Sequence, residues 1–154
     1  MTSQNIGSLA IASDHAGYEF KEELKRFLSQ NFDLRVIDFG PESSTRCDYP
    51  DFAAKVARHV QAHSDNRGLL VCGSGIGMSM TVNRFSGVRG ALVHNGLAAR
   101  LSRQHNDANV LCLGARLIGV EVAKDAIHGF LNTDFEGGRH QGRVVKIDEV
   151  SVSL

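Results

Sequence analysis

Short apolar runs alternate with stretches of helical period along nearly the whole chain, and this alternation restricts the fold more than any other feature of the sequence. Leu9-Ala10-Ile11-Ala12-Ser13 is an apolar run, and from Gly17 to about Asn31 the residues Phe20, Leu24, Phe27 and Leu28 recur at helical spacing. Arg35 to Gly40 reads as a second strand, and Pro50 opens a helix whose inward side is Phe52, Val56 and Val60. Leu69 to Cys72 is a third strand, followed by a glycine-rich turn and a third helix predicted to end near Gly87. Val88 to Val93 and Val110 to Leu113 supply two more strands, with helices expected from about Leu97 to Gln104 and from Val120 to Leu131. The strands lack clean apolar-polar alternation, as strands covered on both faces do, so the pattern predicts an α/β fold with a five-stranded parallel sheet wrapped by helices. A chain of 154 residues suits one domain. The tail after Phe135 is polar and glycine-flexed.

In an open parallel sheet, ligands bind beyond the carboxyl ends of the strands, where the strand order reverses. Four segments meet that condition: Ser13-Asp14-His15, Cys72 to Gly77, His94-Asn95 and Gly114-Ala115-Arg116. Composition narrows what they would bind. The 17 Lys and Arg balance the 17 Asp and Glu, so no global field draws the protein to nucleic acid or anionic lipid. No run approaches the roughly 20 apolar residues of a membrane span. The start, Met1 to Asn5, lacks the positive residue of a signal peptide. Three cysteines, Cys47, Cys72 and Cys112, are widely spaced without a CxxC pair, which points to a reducing cytoplasm. Twelve of the 17 basic residues are Arg, whose planar fork matches phosphate and carboxylate oxygens, so small anions are the expected ligands.

The strongest local signal is Cys72-Gly73-Ser74-Gly75-Ile76-Gly77, where glycines let backbone N–H groups converge on an anion at a helix start. Met78 excludes both the dinucleotide Gly-x-Gly-x-x-Gly and the Cys-x5-Arg phosphatase loop, and no Gly-Lys-Ser/Thr follows for a nucleotide loop. A hydrolase elbow needs glycine two residues before Ser74, where Cys72 stands. What remains is a thiol beside a helix N-terminus, whose dipole favours the thiolate and equips it as a base. A buried strand cysteine beside a packing turn has the same sequence. Cys112, inside an apolar strand, reads as structural, and Cys47 has no assigned role. Asp14-His15 could reach the strand-end crevice for proton transfer or phosphate contact, or form an N-cap beside an exposed histidine. Ser102 to Asp107 is either a polar site segment or a helix end with a solvated loop. His59 and His63 have the spacing of two metal ligands, but no zincin acid accompanies them and a solvated helix face reads better.

Taken in order, five segments resemble the type B ribose-5-phosphate isomerases and the related galactose-6-phosphate and allose-6-phosphate isomerases. They are Ser13-Asp14-His15-Ala16-Gly17, Asp48-Tyr49-Pro50, Cys72 to Gly77, Ser102-Arg103-Gln104-His105-Asn106-Asp107-Ala108-Asn109-Val110, and Glu136-Gly137-Gly138-Arg139-His140-Gln141-Gly142-Arg143. The similarity runs from about Leu9 to Val144. It implies a Rossmann-like three-layer sandwich and a single isomerase domain over residues 1–154. It also implies a homodimer, sometimes a tetramer, with sites at the subunit interface completed by the tail of about 135–154, and neither metal nor nucleotide cofactor.

The resemblance also implies roles for an aldose-ketose isomerisation through a cis-enediolate. Cys72 matches the proton-shuttling base, and Gly73, Ser74, Gly75 and Gly77 match the loop that stabilises the enediolate. His105 matches the ring opener, with Asp14 assisting and Asn106 close by. His15, Arg139 and Arg143 match the phosphate site, Arg116 adds to it, and His140 lies in the same segment. Members that use a glutamate base carry it where this chain has Met78, which favours the cysteine branch. Ser74 replaces a common threonine and Arg84 a frequent lysine, while Val93-His94-Asn95-Gly96 departs from the family and would line the sugar pocket. Ribose 5-phosphate is the expected substrate. A six-carbon sugar phosphate, a non-catalytic sugar-phosphate sensor and a purely structural dimer module are the alternatives.

Overall fold

The computed structural model describes residues 6–150; Met1 to Asn5, on which the leader reading rests, and residues 151–154 of the tail lie outside them. Five parallel strands, β1 (Leu9–Ser13), β2 (Val36–Asp38), β3 (Arg67–Cys72), β4 (Gly90–Leu92) and β5 (Val110–Gly114), form one sheet in the order β2-β1-β3-β5-β4. Six helices accompany them: α1 (Tyr18–Asn31), α2 (Tyr49–Ala62), α3 (Ile76–Val82), α4 (Gly96–Asn106), α5 (Val120–Asn132) and α6 (Gln141–Val150). This is the five-stranded parallel α/β sheet that the alternation predicts and the Rossmann-like sandwich that the resemblance implies. No helix of the described residues is long and apolar enough to cross a membrane.

A strand-helix-strand crossover packs back on its sheet in the right-handed sense, so the direction of each step selects a face. The steps toward the β4 edge run through α2 and α3, and the steps toward the β2 edge run through α1 and α4. Two cores result. Leu24 and Leu28 of α1, Ala99 of α4 and Ile127 and Phe130 of α5 pack on one face with Leu9, Ile11, Leu69 and Leu111. On the other face, Val56 and Val60 of α2 and Met78 and Val82 of α3 pack with Ala10, Leu70, Cys72 and Cys112. The strand side chains alternate between these cores, and both sets are buried, which is why the strand sequences show no polar alternation.

Three boundaries differ from the sequence reading. Helix α3 stops at Val82 because the Asn83 side-chain amide donates to the Ser79 and Gly90 carbonyls, both at 2.9 Å, while its oxygen accepts from the Gly90 N–H at 2.8 Å. That clasp turns the chain straight into a short edge strand. The tail is not irregular: a 3-10 turn at Gly138–His140 leads into α6, which is anchored by buried Val144 and by the Arg89–Asp148 ion pair at 3.0 Å. Finally, β4 is limited to Gly90–Leu92 rather than Val88 to Val93, whereas the inward side of α2 is as expected, with Phe52 packed against the core beside Val56 and Val60 and with Ala53 and Ala57 added.

The β2 edge is held to α1 by charge. Lys21, with no exposed side-chain area, donates to both Asp38 carboxylate oxygens at 2.9 Å and to the Pro41 carbonyl at 3.0 Å. Burial works to raise the Asp38 carboxyl, but hydrogen bonds from Lys25, Lys21 and the Gly40 N–H hold it below its ordinary value of 3.8. A depressed folded value means that the contribution is complete above the unfolded pKa and disappears as pH falls through the folded one. Urea-unfolding stability should therefore fall as the pH drops below about 4, and Asp38→Asn should flatten that acid limb. Equal slopes for the two proteins would remove Asp38 from the acid response.

Candidate active site

The strand order reverses between β1 and β3: the chain leaves β1 toward one edge and β3 toward the other. The crevice at that reversal is the expected ligand position. A cleft of about 330 Å³ opens there, bounded by Asp14, His15, Tyr49, Cys72, Ser74 and Arg116. A larger concavity of about 800 Å³ lies between α1, the 38–42 turn and α2. Its walls carry Glu22, Lys25 and Asp38, which are joined in ion pairs, so it presents little unpaired charge to a ligand.

Cys72 ends β3 and is 4% exposed, with its Sγ accepting the Gly75 N–H at 3.0 Å. The turn that follows is fixed by the neighbouring strand end. Gly75 has φ 76°, and a Cβ there would stand 2.6 Å from Leu92 Cδ1 and 2.9 Å from the Leu113 carbonyl carbon. Only glycine fits both the left-handed backbone and the contact. The Cys72 and Gly73 carbonyls accept the Ala115 and Arg116 N–H groups at 2.9 and 3.0 Å. Ser74 Oγ accepts the Ile76 N–H at 3.3 Å. The glycine turn is therefore packed on β5, with its thiol facing the cleft.

Asp14 fulfils both readings of its sequence position. Its Oδ1 accepts the Gly17 N–H at 3.0 Å as the cap of a 3-10 turn, and the residue lines the cleft while 7% exposed. His15 is half-buried rather than exposed, and its Nδ1 lies 3.0 Å from the Cys47 carbonyl oxygen, which ties the ring to the 45–48 loop. Cys47 thereby acquires a positioning contact that its sequence does not announce. Arg116 comes from the turn after β5, and its guanidinium lies over Gly73.

A second cluster gathers elsewhere, at the end of α4 and the start of the tail. The rings of His105 and His140 stack with centroids 4.4 Å apart and planes 14° apart. Arg139 Nε donates to His140 Nε2 at 3.3 Å, and Glu136 Oε2 stands 3.7 Å from the same nitrogen. His105, Glu136 and His140 could jointly hold a metal ion, their ligand atoms lying within 4.8 Å of one another. Sequence spacing does not reveal that grouping, because His105 comes from α4 and Glu136 and His140 from the tail more than 30 residues later. Desolvation, His105, Arg139 and Arg143 all push the His140 imidazole below its usual value, against a weaker opposite pull from Glu136. Two neighbouring guanidinium groups make the field here one for an anion more than for a cation. His105, Asn106, Arg139 and Arg143 do not line the Cys72 cleft. The residues matched by resemblance thus fall into two groups on one chain.

Other candidates separate from both groups. His94 is exposed and outside the cleft, and Asn95 caps α4 by accepting the Ala98 N–H at 2.8 Å. His59 Nε2 is 2.8 Å from Ser8 Oγ, whereas His63 lies beyond α2 in extended backbone, so they do not pair on a helix face.

Comparison with known proteins matches residues 9–147 to a family model described as ribose/galactose isomerase. The chain belongs to that family. It is therefore an isomerase. It is 42% identical to ribose-5-phosphate isomerase B of Escherichia coli strain K12 over 142 residues, 92% of this chain and 95% of that protein. The isomerase superposes on the ribose-5-phosphate isomerase B of Clostridium thermocellum with a TM-score of 0.91 at 43% identity, covering 94% of this chain and 97% of that one. The Mycoplasma genitalium enzyme, solved with bound ribulose 5-phosphate, gives 0.90 at 40% identity, covering 96% and 97%.

Two of the positive-φ glycines of the isomerase, Gly75 and Gly87, give a direct test of the turn's packing. Gly87 has φ 74° with nothing within 4 Å of an added Cβ, so Gly87→Ala should cost roughly 1–2 kcal/mol from backbone strain alone. Gly75→Ala should lose about 1–3 kcal/mol more, the usual size of an overpacking penalty. Urea midpoints measure both; equal losses would mean that the β5 contact carries no constraint.

Proposed function

We propose that the protein is a cytoplasmic, homodimeric ribose-5-phosphate isomerase of pentose phosphate metabolism, one domain over residues 1–154 with sites completed across the subunit interface. The observation that carries this reading is the division of the chemistry between two places on one chain. The Cys72 cleft holds a thiol, a glycine turn, His15 and Arg116, while His105, Asn106, Arg139 and Arg143 belong to the other cluster. A two-fold dimer brings unlike patches of two copies together twice, so each group completes the other. Exposed apolar pairs at one-turn spacing, Ile76 and Met80 on α3 and Leu97 and Leu101 on α4, support such an interface. The choice of a five-carbon sugar phosphate is supported by the likeness to ribose-5-phosphate isomerases B, one of them solved with bound ribulose 5-phosphate.

In this reading His15 and Arg116, with Arg139 and Arg143 of the partner subunit, grip the phosphate through charge-assisted hydrogen bonds. His105 of the partner subunit moves the proton of the anomeric hydroxyl to the ring oxygen, and Asp14 and Asn106 of the partner subunit hold the sugar oxygens from opposite sides of the interface. The Cys72 thiolate takes the C2 proton, leaving a cis-enediolate. N–H groups of the turn from Gly73 to Gly77 and the Ser74 hydroxyl stabilise its charge. The thiol returns the proton to C1 while the hydroxyl proton passes from O2 to O1, which yields the ketose. No cofactor, nucleic acid or membrane takes part.

With chelator present, wild-type protein should form ribulose 5-phosphate from ribose 5-phosphate, faster than it converts allose 6-phosphate. Cys72→Ala should lose about 10²–10⁴-fold in turnover, the usual contribution of a positioned base, while still binding the sugar phosphate. Binding without turnover by the wild type would make the protein a sensor instead. Inactive Cys72→Ala and His105→Ala proteins, unfolded and refolded together, should regain about a quarter of wild-type activity, because half the dimers are mixed and each holds one intact site. No regain would place the whole site within one chain.

Arg139→Ala should raise the KM for ribose 5-phosphate with kcat little changed, as loss of a uniform binding contact does. Steady-state kinetics decide it, and an unaltered KM would take Arg139 off the phosphate.

A further inference from the structure

Asp107 follows directly after His105 and Asn106, yet the reading above gives it no role. Among the described residues it is the only non-glycine at positive φ, with φ 46° and ψ 43°. Aspartate tolerates that left-handed conformation better than most residues, but it must be held there. Its N–H donates to the Arg103 carbonyl at 3.1 Å and closes the last turn of α4. Its Oδ1 accepts from Arg103 at 2.7 Å, its Oδ2 from Arg89 at 3.0 Å, and its own carbonyl from Arg89 Nε at 3.0 Å.

The two arginines carry these contacts further. Arg103, only 2% exposed, also donates to the Ala108 carbonyl at 2.6 Å and to the Thr133 carbonyl at 3.3 Å, where the tail begins. Arg89 grips both Asp148 oxygens on α6 at 3.2 and 3.0 Å. A row of alternating charge, Arg103, Asp107, Arg89 and Asp148, therefore joins the end of α4 to both ends of the tail. Between those fixed points, the Gln104 carbonyl accepts the Glu136 N–H at 3.0 Å and the His105 ring stacks on His140.

We propose that Asp107 is a positioning residue for the isomerisation: it sets the direction of the His105–Asn106 turn and holds the ring opener against the arginine-bearing tail. This rests on the reading that His105 opens the furanose ring. With the carboxylate gone, Arg89 and Arg103 lose their common acceptor, and the helix end that carries His105 is no longer referenced to the tail. Ring opening needs the imidazole at hydrogen-bond distance from two sugar oxygens, and a misplacement of about 1 Å is costly. Proton transfer by Cys72, which sits on β3, uses no proton donor or acceptor on α4.

The test uses a chemical difference between the two sugar phosphates. Ribose 5-phosphate closes to a furanose, whereas in ribulose 5-phosphate the hydroxyl that would close a five-membered ring carries the phosphate, so the ketose is open. Exchange of its C1 hydrogen with solvent therefore reports proton transfer without ring opening. Asp107→Gly keeps the left-handed backbone and removes the ion pairs; its kcat for ribose 5-phosphate should fall roughly 10–100-fold. Its C1 exchange on ribulose 5-phosphate should stay within about threefold of wild type, a split that loss of general stability does not produce. Asp107→Asn, which restores one acceptor oxygen, should recover part of the loss.

Equal loss of both activities, or no loss of either, overturns the role of Asp107. So does failure of both variants to fold, which would make the residue a support of the fold alone. A wild-type protein that turns over no ribose 5-phosphate shows instead that the underlying reading is at fault, and this is seen before any variant is made.

Discussion

A helix that joins two parallel strands can lie back on the sheet in one hand only, so the direction in which the chain steps between strands decides which face each helix covers and where a crevice is left open. Here the chain steps from β1 outward to β2 and from β3 outward to the opposite edge. The loops after β1 and β3 must then part, and the gap between them exposes Asp14, His15 and Cys72. The site is thus a product of connectivity. No residue in it needs to be exposed by a fold of its own, and the thiol can remain almost wholly buried in a core cluster while its sulfur meets the cleft.

That arrangement accounts for how much the sequence disclosed. Apolar runs at Leu9, Leu69 and Val110 belong to strands buried on both faces, where burial leaves a compositional mark, so the fold class could be read directly. The strand-end rule then selected Asp14, His15, Cys72 and Arg116, which share one cleft. Features fixed by single side-chain clasps were not legible. Asn83 ends α3 through two carbonyls, one of them seven residues ahead, and no local propensity records that contact. Helix α6 buries only Val144 of its four apolar residues, and it is fixed by that residue and a distant ion pair from Arg89. The separation of His105 from the Cys72 cleft follows from the topology, because a helix that joins two parallel strands runs back against them and finishes at the opposite end of the sheet; what spacing did not show is the stacking of His105 on His140 of the tail.

The arginine content illustrates a related limit. Twelve arginines in a neutral chain direct attention to anions, and Arg116, Arg139 and Arg143 are exposed as that idea requires. Arg89 and Arg103 satisfy the same chemistry internally, since a guanidinium fork fits a carboxylate of the protein as well as one from outside. Arg89 and Arg103 fasten elements together, whereas Arg116, Arg139 and Arg143 present their guanidinium groups at the surface. Composition counts both kinds alike, and only the partners distinguish them.

The packing of Gly75 against the Leu113 carbonyl bears on how such an enzyme can diversify. In the proposed reaction the amides of the turn, held by the same contact that seats β3 beside β5, would stand ready before any substrate arrives and need no reorganisation as negative charge develops. Catalytic readiness and sheet packing are then a single trait under selection. Variation that alters the turn is removed whatever the substrate, whereas the tail and the 45–48 loop touch the sheet less and can drift. New sugar preferences should accordingly accumulate at the phosphate end and the rim of the cleft, around a reaction centre that the fold itself keeps constant.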